Sequence, residues 1–155
     1  LPPSMYDRPH EDELQPNRDR MEEQVIHYCV AHGIPIIATC RGMQYINVMF
    51  GGKLWYHPKL PVTRTRGMDH QVWLVKEQRN IWVNNYHSDC IYEEGLAPCF
   101  EPLAIDRENH VVEAYGSDEM KILALQWHPE RRFETANAYE ETRKIILDFI
   151  QKYVR

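Results

Sequence analysis

Cys40 follows the apolar run Ile34-Pro35-Ile36-Ile37-Ala38-Thr39 and precedes Arg41-Gly42-Met43-Gln44, a setting in which a thiol could act as a nucleophile. An apolar run after Gly33, with a helix-like segment behind it, suits a buried parallel strand that turns abruptly into a helix. A side chain on that turn is pushed out of the sheet's C-terminal edge, beside the first unbonded N–H groups of the helix. Those groups and the helix dipole favour an anion, so the thiol is expected to have a lowered pKa and a useful thiolate fraction near neutral pH. Gly42 is expected to let the backbone turn tightly. Cysteine is also among the most buried residue types, and one cysteine in a strand is more often a packing residue, so a nucleophile needs partners.

Leu123-Ala124-Leu125-Gln126-Trp127-His128-Pro129-Glu130 offers them. A second apolar strand ends there in a histidine, with a carboxylate two residues later. In an extended chain residues two apart project to the same side, and Pro129 biases His128 away from the helical region. Glu130 is therefore expected to hold the His128 ring and fix its tautomer while His128 takes the proton of Cys40. Cysteine, histidine and an orienting carboxylate are what acyl transfer through a thioester requires.

Cys40-Arg41-Gly42-Met43-Gln44, Gly51-Gly52, Val83-Asn84-Asn85-Tyr86-His87, Val112-Glu113-Ala114 and Gln126-Trp127-His128-Pro129-Glu130, in that order, resemble the class I glutamine amidotransferase-like superfamily. Within it the similarity is greatest to the γ-glutamyl hydrolase branch, which includes γ-glutamyl-γ-aminobutyrate hydrolase. Ala38 departs from the pattern, standing where the family usually has glycine, and a slightly tighter elbow is expected from it. The resemblance implies a flavodoxin-like α/β fold with a mostly parallel sheet, flanking helices and antiparallel additions. It also implies a cysteine hydrolase of γ-glutamyl amides, in which Cys40 attacks the γ-carbonyl, His128 moves the protons and Glu130 orients His128. The N–H of Arg41 would meet the oxyanion, and Gln44, Asn85, Tyr86 and His87 would hold the glutamyl end. Asn84 to His87 could equally be a plain turn after a strand. Arg64 and Arg66 are candidates for the leaving-amine side, where a nucleotide amidate or a simple amine would both fit. Two other readings stay open: a glutaminase subunit delivering ammonia to a separate synthetase, and a non-catalytic binding relative.

The elements that must position these residues are read from periodicity. Leu1 to Pro16 holds four prolines and many charges and reads as an irregular loop. Asn17 is a plausible N-cap for a helix over Arg18 to His32 that places Met21, Val25, Tyr28, Cys29 and His32 at helical spacing, with Gly33 ending it. Cys29 and His32 share a face, where a metal site is conceivable, but two ligands on one short helix with no second pair are far more often core and boundary residues. A helix over Arg41 to Phe50 stops at Gly51-Gly52, a short strand covers Leu54 to Tyr56, and a Pro- and Arg-rich loop runs from Pro58 to Gly67. Val72 and Leu74 alternate with Gln71 and Trp73, which predicts an antiparallel pair of strands, Gln71 to Val75 and Ile81 to Asn85, with one wet face. Phe100 to Ile105 and His110 to Tyr115 read as a hairpin feeding a strand from Ile122 to Trp127. A last helix, Ala136 to Tyr153, turns Tyr139, Ile146, Phe149, Ile150 and Tyr153 toward the sheet.

With 155 residues, 43% of them hydrophobic, the chain suits one domain over residues 1–155. A net charge of -5 without a basic tract argues against nucleic acid and anionic membranes as partners. Four scattered cysteines without a CxxC pair suit a reducing cytoplasm. The partner expected is a small-molecule γ-glutamyl amide, with no cofactor and no metal, and a homo-oligomer is left open. The domain is expected to lack its N-terminal strands, because the doubly wound pattern needs a first strand and crossover helix before the first recognisable helix. The resemblance would draw a second oxyanion donor from a Gly-Gly loop just before Leu1, and one such donor is worth about 10²–10³ in rate.

Overall fold

The sheet is built outward from the pairing of the two strands that the chemistry needs. In the computed structural model, which describes residues 16–56 and 66–154, β1 (Ile36–Thr39) and β7 (Ile122–Leu125) run parallel, with Thr39 opposite Leu125. The remaining strands are β2 (His70–Leu74), β3 (Arg79–Val83), β4 (Ile91–Tyr92), β5 (Glu101–Asp106) and β6 (Val111–Ser117). Their order across the sheet is β1-β7-β6-β5-β2-β3, with β4 on β6, and every pair other than β1–β7 is antiparallel. Among the described residues the sheet is thus mixed: the expected parallel pairing is confined to β1–β7, and the antiparallel additions outnumber it because consecutive strands here close through short turns. β1 is the edge strand of this sheet among the described residues.

Helices cover both faces. α1 (Pro16–Ala31) and α2 (Arg41–Met49) contribute Ile26, Met43, Tyr45 and Ile46 to one core, shared with Ile91, Val112, Tyr115, Ile122 and Ala124. α3 (Ala138–Tyr153) brings Phe149 to the other, against Val72, Ile81, Val83, Leu123, Leu125 and Trp127. The alternation Ile122, Leu123, Ala124, Leu125 thus feeds both cores in turn, as period-2 geometry requires of a strand covered on both sides. Trp127 reaches α3 directly, its indole N–H donating to Thr142 Oγ1 at 3.0 Å.

Several expectations need correction. α1 begins at Pro16, not after a cap at Asn17, and proline suits a first helical turn. Met21, Val25 and Tyr28 are 60%, 56% and 59% exposed, so the face assigned to the core points outward. The inward face carries Asp19 and Ile26, with Asp19 and Glu22 paired to Arg41 of α2; ionic anchoring, invisible to an apolar count, sets the helix's rotation. On α3 the buried residues are Ala138, Thr142 and Phe149, while Tyr139 is exposed. The short strand at Leu54–Tyr56 is a single bridge between Trp55 and Cys90. The antiparallel pair β2–β3 forms as expected, with Val72 and Leu74 inside. The opening loop and most of the Pro58 to Gly67 loop, Arg64 included, lie outside the described residues. No helix among the described residues is long and apolar enough to cross a membrane.

Candidate active site

Cys40 stands between β1 and α2 as the N-cap of the helix, with φ 49° and ψ −108°. A positive φ at a non-glycine residue costs of order 1–3 kcal/mol and persists only where neighbours enforce it. Here the Cys40 N–H donates to Leu125 O at 2.8 Å, and its carbonyl accepts from Gln44 N at 3.1 Å. The sharp turn is therefore taken by Cys40 itself, held by β7 on one side and α2 on the other. Gly42 lies within the helix, and a methyl group on it would meet Ala38 Cβ at an ordinary 3.6 Å. The tightness of the elbow thus does not depend on Gly42.

The thiol differs from expectation in one respect. Burial pushes its pKa above the ordinary value, outweighing the opposing pull of the Arg41 N–H and of the Arg131 and Arg66 guanidinium groups. A helix N-terminus does act on the sulfur, through Arg41 N–H, but desolvation of the anion is the larger effect. The direction of that shift favours the protonated thiol over a standing thiolate near neutral pH.

His128 and Glu130 meet as the spacing requires, Nδ1 lying 2.7 Å from Glu130 Oε1. Because an ionised carboxylate only accepts, Nδ1 donates in this bond, and in the neutral ring that leaves the lone pair on Nε2. The exposed Glu130 carboxyl is held below the usual range: burial works to raise it, and its own backbone N–H, the His128 hydrogen bond and charge, and Arg131 together overcome that. His128 lies at the C-terminal end of β7, beside the end of β1 that carries Cys40. No hydrogen bond among the described residues joins its ring to the Cys40 sulfur; the side chain that reaches the sulfur is Gln126, whose Nε2 lies 3.7 Å from Sγ. Catalytic hydrogen bonds often tighten only with substrate in place.

Asn84 is the positioning residue that sequence reading passed over. Fully buried just after β3, it donates to His128 O at 2.8 Å and accepts from His128 N at 3.0 Å, clamping the backbone of His128. It was quoted within the Val83 to His87 motif, but a side-chain clamp on a strand more than forty residues away leaves no periodic signal. Arg131 was also missed; its guanidinium sits over the Tyr86 ring at 4.8 Å and faces the thiol electrostatically.

The expected glutamyl-pocket residues fall into two groups. Gln44, on the buried side of α2, donates to Asp89 O and Gln126 Oε1, both at 3.2 Å, and so stands one side chain away from the sulfur. His87 shares Asp89 O, its Nδ1 lying 2.7 Å from that carbonyl. Tyr86 packs edge-on against the His128 ring with centroids 6.0 Å apart. Asn85 is buried and its carbonyl accepts from Gly67 N at 2.7 Å. The Arg41 side chain turns away from this edge to bind Asp19 and Glu22, which leaves its backbone N–H as the part that faces the chemistry.

Comparison with known proteins places the chain in a family. Residues 1–130 match the Peptidase C26 family. A glutamine amidotransferase-like protein of Lactococcus lactis, YvdE, is 31% identical over 136 residues, covering 77% of this chain and 56% of that protein. The γ-glutamyl-γ-aminobutyrate hydrolase PuuD of Escherichia coli K12 is 28% identical over 145 residues, covering 77% of this chain and 55% of that protein. The chain thus spans about half the length of the curated relatives it matches. The crystal structure of a glutamine amidotransferase from Thermotoga maritima superposes with a TM-score of 0.61 at 19% identity, over 92% of this chain and 59% of the other, which establishes the flavodoxin-like fold. With the family match running from the first residue through the end of the His128–Glu130 segment, this chain belongs to the Peptidase C26 family, of the class I glutamine amidotransferase-like kind.

Proposed function

We propose that this chain hydrolyses a γ-glutamyl amide through a thioester on Cys40. The observation that carries the reading is the strained Cys40 at the N-terminus of α2, set on the strand adjoining the one that ends in the His128–Glu130 pair. In this mechanism His128 Nε2 removes the thiol proton as sulfur attacks the γ-carbonyl, and the Arg41 N–H donates to the developing oxyanion. His128 then protonates the leaving amine as the C–N bond breaks. It next activates a water that cleaves the thioester, releasing glutamate and restoring the thiol. Glu130 keeps the imidazole in the required tautomer throughout, and Gln44 with Asn85, Tyr86 and His87 forms the wall for the glutamyl end. The raised pKa of Cys40 supports concerted proton removal over a standing thiolate. Four cysteines, none of them in a disulfide, suit a cytoplasmic setting.

A second reading, favoured by the name of the Lactococcus relative, is a glutaminase that hands ammonia to a separate synthetase. Glutamate release from γ-glutamyl amines and from free glutamine, each with Cys40→Ala as control, separates the two. Turnover of γ-glutamyl amines in preference to glutamine is expected. Preference for glutamine would favour the second reading, and no Cys40-dependent release from either would overturn both.

A further inference from the structure

At the pocket wall lies a group of side chains of which the proposed reaction uses only His87, as part of that wall. His70 at the start of β2, His87 after β3 and Glu113 of β6 converge, with one ligand atom from each all within 4.8 Å of one another. Glu113 is fully buried, and His70 and the His87 side chain are nearly so. Glu113 is brought there by a bulge: Ala104 pairs with Ala114 and the next residue, Ile105, pairs with Val112, so Glu113 is the additional residue of β6. Bulges of this kind re-aim a side chain.

The two imidazoles address different oxygens of the one carboxylate. His87 Nε2 lies 3.6 Å from Oε1 and His70 Nε2 3.8 Å from Oε2. Both separations exceed a hydrogen bond, whose N···O distance is about 2.7–3.2 Å. Two donors on one tetrahedral zinc, each at about 2.0–2.1 Å from the ion, stand about 3.4 Å apart, so binding would draw these groups together by a few tenths of an ångström. The orientation of His87 points the same way. Its Nδ1 lies 2.7 Å from Asp89 O, and a carbonyl only accepts, so Nδ1 carries a proton and Nε2 is the ring nitrogen that faces Glu113. A ring N–H given to a backbone carbonyl, with the other nitrogen facing a cation position, is the usual support of a ligating histidine. Two imidazoles and one carboxylate form a recognised donor set for zinc, and a carboxylate using both oxygens would complete four donor atoms.

We propose that His70, His87 and Glu113 bind one divalent transition-metal ion, zinc by the character of its donors, which ties β2, the segment after β3 and the bulge of β6 together. Glu113 O accepts from Gln126 N at 2.7 Å, and Asp89 O is shared by His87 and Gln44, so the ion braces both residues that lead toward Cys40.

The test uses the untagged chain, stripped of metal and titrated with Co²⁺ as a spectroscopic probe and then with Zn²⁺ as competitor. One equivalent of Co²⁺ is expected, with visible d–d bands of four-coordination, no thiolate charge-transfer band, and displacement by Zn²⁺. Glu113→Gln and His87→Ala are expected to weaken binding at least about 100-fold, whereas His110→Ala, which alters an exposed His–Glu pair, leaves it unchanged. Should the variants fail to fold, X-ray absorption on the zinc-loaded wild type decides: two imidazoles and a carboxylate support the site. Absence of stoichiometric binding by the wild type, thiolate in the shell, or binding lost through His110→Ala would overturn it.

Discussion

Cys40 combines a strained backbone with a thiol whose pKa burial pushes up, and its reactivity depends on what surrounds it. The Arg131 guanidinium opposes that upward shift. Thiol alkylation follows the thiolate, so its rate at Cys40 should rise with pH through a midpoint above that of an ordinary thiol. Arg131→Gln removes a cation that favours the anion and should move the midpoint to still higher pH; an unchanged profile, followed by mass-mapped iodoacetamide labelling, would contradict the assignment. The His128–Glu130 bond makes a separate prediction. His128→Ala should abolish glutamate release, whereas Glu130→Gln, which keeps an oxygen for Nδ1–H at an exposed position, should retain a measurable fraction in kcat with little change in KM. The pair was legible in the sequence because spacing of two on an extended chain is a local rule. The upward shift of Cys40 was not, because desolvation depends on everything packed around the sulfur.

Elements carry the next layer of the account. β7 supplies the Leu125 carbonyl that holds the Cys40 N–H, and the segment after it carries Gln126 at the sulfur and His128, whose backbone N–H and carbonyl are both clamped by Asn84, just after β3. Asn84→Ala leaves those buried backbone groups without their side-chain partner, at a cost of about 1–3 kcal/mol in stability for each group left unsatisfied. Chemical denaturation should show that loss, and kcat should fall more than KM rises because the base is displaced while the glutamyl wall remains. A variant with wild-type kcat would show that the clamp does not position His128. The existence of β2, β3, β5, β6 and β7 was readable from alternation and turn residues. The rotation of α1 was not, since its inward side is fixed by Asp19 and Glu22 meeting Arg41, an interaction between residues about twenty apart.

For the whole molecule, a parallel β1–β7 pair at one end of a mixed sheet places the Cys40 elbow and the His128–Glu130 turn at one edge, with α1 and α2 on one face and α3 on the other. Motif spacing made that convergence predictable, because two adjacent parallel strands must end on the same side. The His70–His87–Glu113 cluster was unreadable by the same logic: one member comes from β2, one from the segment after the neighbouring β3, and the third from β6, beyond β5 in the sheet and on a bulge that breaks the register. The central claim is that Cys40 attacks a γ-glutamyl carbonyl held at this edge. Its most direct measurement is labelling by a glutamine analogue that carries a chloroketone in place of the γ-amide, followed by peptide mapping of all four cysteines, with and without excess glutamate. One adduct is predicted, on Cys40, formed faster than on the exposed Cys99 and suppressed by glutamate; labelling that favours Cys99, or that glutamate does not slow, would contradict the account.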